Sequence, residues 1–415
     1  MAIDKLQTDA LSNTVTATVA SFAIGANVSI NSSAVFFGNS TINTVMTASS
    51  LTIANVSLNS STIVIGSGKI AAGGVTLPSN FGVSSNTTNL LENRGGQLFF
   101  NGRRVDLVNE YGGTNPAVYG YVMGGFSGAN VTTADRITFS TSVTAAYTAA
   151  NLTTARNGAH GVSDMSIYGY VVGGGYTNTA ERITFSTGVT AASTVTNSSV
   201  NHYLGAEVSD GVSYGYIMGG ETAGSTYITT ADRITFSTSI SAASAASNLS
   251  LARAYFAGSI SDGTIYGYMM GGSTNSGASA VATTDRITFS TAATVAYTAG
   301  NLRVAIYGAA ALSDGVIYGY VGAGYTGAMV ATAERLTFAT SVLSASTISN
   351  LTVARYLSSS VSDGVVYGYW SGDGNGYKSS TDRITFSTSA TAAYSAANLS
   401  QARGYKPVGV SDGAV

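Results

Sequence analysis

The sequence predicts an all-β fold, most of it a six-bladed β-propeller spanning residues 117–415. Three observations predict it. Tyr-Gly-Tyr recurs at Tyr119, Tyr168, Tyr214, Tyr266, Tyr318 and Tyr367, at intervals of 46 to 52 residues. Each recurrence belongs to a unit that reads as four short strands. No segment carries a sustained helical period. Four antiparallel strands in about 50 residues are the signature of a propeller blade.

The unit at residues 158–195 shows the strands in order. "GAHGVSD" ends a first strand in a turn, and "IYGYVVGG" is the second. In five of the six units Gly follows the Ser-Asp, and Asp-Gly between strands predicts a two-residue type I′ hairpin. The Gly pair that follows predicts a sharp bend or a close backbone approach. "RITFSTG" alternates apolar and polar residues as a third strand, and "VTAASTV" is the fourth. An acidic residue and Arg lead the third strand in all six units, from Asp135-Arg136 to Asp382-Arg383. A segment of the form Asn-Leu-x-x-Ala-Arg then leads back to the next first strand.

This order resembles kelch repeats, which similarly carry a Gly pair at the end of the second strand and an Arg before the first. The resemblance covers about residues 117–415 and implies a kelch-like propeller. One departure is plain. Kelch blades usually have Trp in the fourth strand, whereas the single Trp here, Trp370, lies in a second strand.

Residues 1–95 lack these motifs and are rich in Asn, Ser and Thr. "NVSIN" at Asn27, "NSTIN" at Asn39 and "NVSLN" at Asn55 each precede a short alternating stretch. Such strands carry too few large side chains for a monomeric core. They are expected to stack against copies from other chains, as in a trimeric fibre shaft. Residues 96–116 read as a hairpin and connector, with an Asn-Gly turn in "FFNGRRV". The combination resembles phage tail fibres and related virion appendages. That resemblance implies a homotrimer made in the host cytoplasm and carried on the virion, attached to other virion proteins through residues 1–95, whose propeller binds a host-surface glycan or protein. A capsid decoration without a receptor and a polysaccharide-degrading tail spike are the alternatives.

Composition limits the chemistry. Charged residues make up 9% and the formal net charge is −2, so nothing argues for nucleic acid. There is no Cys, and the N-terminus lacks the pattern of a cleaved signal. No apolar run approaches a membrane span of roughly 18 residues, so no membrane insertion is expected. Residues 117–415 hold 28 charged side chains, and 22 of them recur at fixed places in the repeat. Such recurrence marks blade construction. The remaining six are Glu207, Glu221, Arg303, Asp373, Lys378 and Lys406, with no sequence-local carboxylate pair suited to glycoside hydrolysis. His202 stands in the Arg position of its unit, as a structural substitute. No enzymatic activity, metal or cofactor is expected.

The candidate binding surface is the variable one. The loops between second and third strands differ in every blade, and variable loops on a constant scaffold usually bind. They carry Phe126, Tyr176, Tyr227, Tyr325, Tyr377 and Lys378. A second set follows the Arg position: Tyr203, Tyr255, Tyr307, Tyr356 and Tyr405. These aromatics suit a glycan, or pack between blades.

The termini of the repeat complement each other. "NPAVYGYVMGG" begins with a second strand, and "KPVGVSDGAV" ends with a first strand. The C-terminal strand is expected to close the first blade and complete the chain.

Overall fold

The computed structural model describes residues 118–275 and 279–412. Towards the N-terminus it also describes the strands Val28–Ser29, Phe36–Phe37, Leu91–Arg94, Gln97–Phe100 and Arg103–Arg104. The chain divides into two units, Met1–Thr76 and Leu77–Val415.

In the first unit Val28–Ser29 pairs antiparallel with Phe36–Phe37. Apart from Leu91–Arg94, the rest of the expected shaft lies outside the described residues. In the second unit Leu91–Arg94, Gln97–Phe100 and Arg103–Arg104 form a three-stranded antiparallel sheet. Phe100 pairs with Arg103, so the two strands meet on either side of the predicted Asn-Gly turn, which itself lies outside the described residues. This sheet runs across the boundary drawn at residue 95. The connector after Arg104 lies outside the described residues until Val118.

Six four-stranded antiparallel sheets follow, and together they are a six-bladed β-propeller. In chain order, the inner strands of blades 2 to 6 are His160–Ser163, Ala206–Ser209, Gly258–Ser261, Ala310–Ser313 and Ser359–Ser362. Each is followed by its second, third and outer strands. Blade 1 starts at its second strand, Tyr119–Met123, continues through Ala134–Thr138 and Val143–Ala146, and takes Val408–Ser411 as its inner strand. The ring is closed by the C-terminal strand, as the repeat predicts.

The seams between blades hold the apolar core. The second tyrosine of each Tyr-Gly-Tyr is buried and stacks on the Phe after the third strand of the following blade. Tyr170–Phe236 has ring centroids 5.6 Å apart, and Tyr369–Phe139 closes the series at 5.9 Å. All six seams carry this pair. The first tyrosine is half-buried under the Arg of the third strand, as where Arg182 lies 4.0 Å over Tyr168.

The Ser-Asp turns correct one expectation. They are three-residue loops, not two-residue type I′ hairpins. Ser163 faces Gly169 and the Asp164 N–H donates to the Tyr168 carbonyl, leaving three residues between. Only the residue after Asp has positive φ: 57° at Met165, 69° at Gly211. The Asp carboxylate then accepts three backbone N–H groups. Asp164 takes those of Ser166, Ile167 and Tyr168 at 2.7–2.9 Å. This side-chain turn replaces the backbone geometry that type I′ requires.

Serine ties the inner strands together. Ser209 Oγ donates to the Ser163 carbonyl at 2.9 Å, and Ser261 Oγ to the Ser209 carbonyl at 2.7 Å. The Ser163, Ser313 and Ser362 hydroxyls each do the same towards the preceding blade. The Gly pair behaves as expected. Gly173 and Gly174 have φ of 67° and 79°, and a Cβ on Gly174 would meet the Asn157 carbonyl oxygen at 2.6 Å.

Candidate functional site

The connectors between blades position the loop face, and five of the six are pinned at both ends. Its Asn reaches back to the blade just completed, as where Asn151 Oδ1 accepts the Ala134 N–H at 2.9 Å. The same bond recurs in all six blades. Its Arg reaches forward into the next blade. Arg156 donates to the carbonyls of Gly173 and Thr179 and pairs with Glu181 at 3.0 Å. Arg253–Asp285, Arg355–Asp382 and Arg403–Asp135 are equivalent buried ion pairs. His202 replaces Arg as expected, with Nε2 2.9 Å from Asp232 and Nδ1 on the Gly219 carbonyl.

These connectors bring the two aromatic sets into one belt. Tyr176 lies against Tyr203 with ring centroids 4.4 Å apart. Tyr227 meets Tyr255 at 6.5 Å, and Tyr325 meets Tyr307 at 5.3 Å. Phe126, Tyr377 and Tyr405 form a mutual cluster at 5.5–6.2 Å. Tyr307 links on to Tyr255 and Tyr356, each edge-on. Tyr203 and Tyr307 are buried, while Tyr255, Tyr356 and Tyr405 are half-buried. In the loop set Phe126, Tyr227, Tyr325 and Tyr377 are half-buried, and Tyr176 is 41% exposed. Burial raises the phenol pKa of Tyr203, Tyr255 and Tyr356 above the ordinary value, reinforced by neighbouring tyrosines. These hydroxyls stay protonated and can donate.

Five of the six charges outside the repeat pattern find side-chain partners, and the sixth, Arg303, has an exposed side chain. Lys378 pairs with the buried Asp373 at 2.7 Å. The buried Glu221 accepts a hydrogen bond from the Tyr176 hydroxyl at 3.2 Å. The Arg303 backbone N–H donates to both Glu334 oxygens at 3.1 Å. Glu207 and Lys406 meet across the axial channel at 2.8 Å, although 199 residues apart in sequence.

His160 joins that last pair, a cluster the sequence did not reveal. Its Nδ1 is 3.0 Å from Glu207. The ionised carboxylate only accepts, so Nδ1 carries the proton. Among the described residues His160 Nε2 is buried without a partner, and the ring stands edge-on to His202. Burial first, and the Lys406 charge second, push His160 down to about 4. Glu207 is lowered: burial would raise it, but Lys406 and His160 outweigh that. The channel itself is narrow, about 160 Å³, lined by the small residues of the inner strands. The only signal in the sequence was that Glu207 and Lys406 fell outside the repeat.

Among the described residues, no group of three His, Asp or Glu side chains is placed to hold a metal ion. The arrangement can offer flat aromatic faces, phenol donors and a fixed lysine on the loop side of a rigid ring. No protein-family model and no curated protein sequence matches this chain.

Proposed function

We propose that this chain is a phage virion fibre protein whose kelch-like propeller head binds a glycan on the host surface. The observation that carries the reading is the aromatic belt, in which the variable-loop aromatics lean on the connector tyrosines around one face. Tyrosine presents a stiff apolar face and a hydroxyl at small entropic cost, which suits the mixed surface of a sugar. The belt is fixed by packing before any ligand arrives, so binding loses little conformational freedom. Most charged side chains are committed to latches and turns, which favours recognition over catalysis. Residues 1–95 serve as the trimerising, virion-attaching part. Several heads on one particle then act together, and weak single-site binding suffices.

The test is binding of the full chain to a panel of bacterial surface polysaccharides, with new reducing ends assayed in parallel. Saturable binding without cleavage is expected, weakened about tenfold by Tyr176→Ala. If no member of the panel binds and antibodies against the propeller leave particle adsorption intact, the receptor reading falls.

A further inference from the structure

One blade departs from the latch that builds the other five. The connector position held by Arg156, His202, Arg253, Arg355 and Arg403 is Ile306 at the entry to blade 5. The receiving side of that latch is nevertheless retained. In blade 2 the guanidinium of Arg156 meets the Gly173 carbonyl at 2.9 Å, the Thr179 carbonyl at 2.8 Å and Glu181 at 3.0 Å. Blade 6 repeats this with Arg355 on Gly372, Ser380 and Asp382 at 3.0, 2.8 and 2.9 Å. The corresponding residues of blade 5 are Ala323, Thr332 and Glu334, at the same offsets from Tyr-Gly-Tyr and the third strand.

All three line a cavity of about 420 Å³, and Ile306 forms part of its wall. The Glu334 carboxylate takes the one backbone N–H of Arg303 on both oxygens and has no ion pair among the described residues. It is half-buried rather than fully enclosed, so the cavity opens to solvent. Burial raises its pKa, as expected for a carboxylate that lacks the guanidinium its counterparts have.

We propose that this cavity is a binding site for the guanidinium group of a small organic cation. A planar guanidinium forks onto a carboxylate and adjacent carbonyls, and the buried Arg side chains of blades 2 and 6 occupy the equivalent acceptors. A carboxylate held in a cavity by backbone N–H alone gains most from a cation that replaces lost water. Glu334 and the two carbonyl-bearing positions supply the acceptors, and Ile306 leaves the volume. Tyr307 and Tyr325 adjoin Ile306 and Gly324 in sequence, which puts the cavity among the connector and loop of the aromatic belt. The proposal stands whether or not the belt binds a glycan. Arg303, exposed at the cavity edge, is the internal competitor.

The experiment is calorimetric titration of the full chain with methylguanidinium chloride at pH 7.5, against sodium chloride at equal ionic strength. One saturable site is expected in the natural chain. Glu334→Gln should weaken it at least tenfold. Ile306→Arg should abolish it, because the chain then supplies its own guanidinium, and should raise the melting temperature. Absence of saturable heat in the natural chain overturns the proposal, as do equal affinities in all three proteins. Binding that appears only in Arg303→Ala also overturns it, by showing that Arg303 fills the site. The melting temperature of Ile306→Arg reads the vacancy independently: a fall alongside unchanged binding would mean that the acceptors are not aligned.

Discussion

The Ser163 hydroxyl donates to the Ser411 carbonyl across 2.9 Å of space and 248 residues of sequence. Beside it, Asp412 Oδ1 accepts the N–H groups of Val118 and Tyr119 at 2.7 and 2.9 Å. Asp164 makes the same two bonds to Ile167 and Tyr168 inside a continuous turn. The junction of blade 1 thus reproduces, without a covalent link, the turn of the other blades. Deleting residues 408–415 exposes the edge of Tyr119–Met123 and opens the ring. The melting temperature should fall by more than about 10 °C. An unchanged melt refutes closure by this strand.

Tyrosine hydroxyls at the seams give a second test. Tyr170, Tyr268, Tyr320 and Tyr369 each meet a serine of the following blade at 2.7–2.8 Å. Tyr216 lacks this partner, because Ala292 stands where the others have serine. Ala292 has φ of 52°, close to the 53–56° of those serines, so serine fits its backbone. Ala292→Ser should stabilise the propeller by about 1 kcal/mol in denaturant unfolding. The same change at Gly188, opposite Tyr121, should not help, because its Cβ would meet the Tyr147 ring at 2.7 Å.

The connector latch predicts a larger loss. Arg355 is buried against Asp382 and two carbonyls. Arg355→Ala leaves Asp382 buried without its cation and should cost about 3–5 kcal/mol by equilibrium unfolding. A cost below about 1 kcal/mol would mean that the latch is idle.

Acid should weaken the channel cluster. His160 faces Glu207, Lys406 and His202, and its pKa falls from 6.5 in the unfolded chain to about 4 in the folded one. The unfolded chain therefore takes up the proton first as pH drops. The contribution of neutral His160 is full above pH 6.5 and is lost as pH falls through about 4. The difference amounts to about 3 kcal/mol at most. His160→Gln should flatten the stability profile in this window; an unaltered slope assigns the acid sensitivity elsewhere.

The two aromatic sets should separate by stability. Tyr203 is buried, so Tyr203→Ala should cost about 3 kcal/mol. The exposed Tyr176 should cost under about 1 kcal/mol on truncation. Chemical denaturation of the two variants checks this, and equal losses would make Tyr176 a packing residue.

The ring, its closure and the role of His202 were legible because each rests on a position repeated around the chain. Comparing six copies of a segment shows what every blade needs, and the acceptor-loving Arg position announced its own substitute. The turn type was not legible. Asp-Gly fits both a two-residue hairpin and a three-residue loop, and the choice depends on the Asp164 carboxylate capturing three N–H groups. Nor was the meeting of His160, Glu207 and Lys406, since the distance between blades 2, 3 and 1 appears only once the ring is shut. The loop aromatics were legible as residues but not as partners of the connector tyrosines. Tyr176 and Tyr203 belong to different elements, and their contact depends on how the connector bends.

The serine links have an electrical consequence. All five hydroxyls donate in one rotational sense, each towards the preceding blade. Aligned dipoles in a helix accumulate into charged ends. Dipoles arranged head to tail around a circle cancel instead. The five links therefore largely offset one another's dipoles, and the Glu207–Lys406 pair places full charges on an otherwise polar but uncharged stretch of the channel wall.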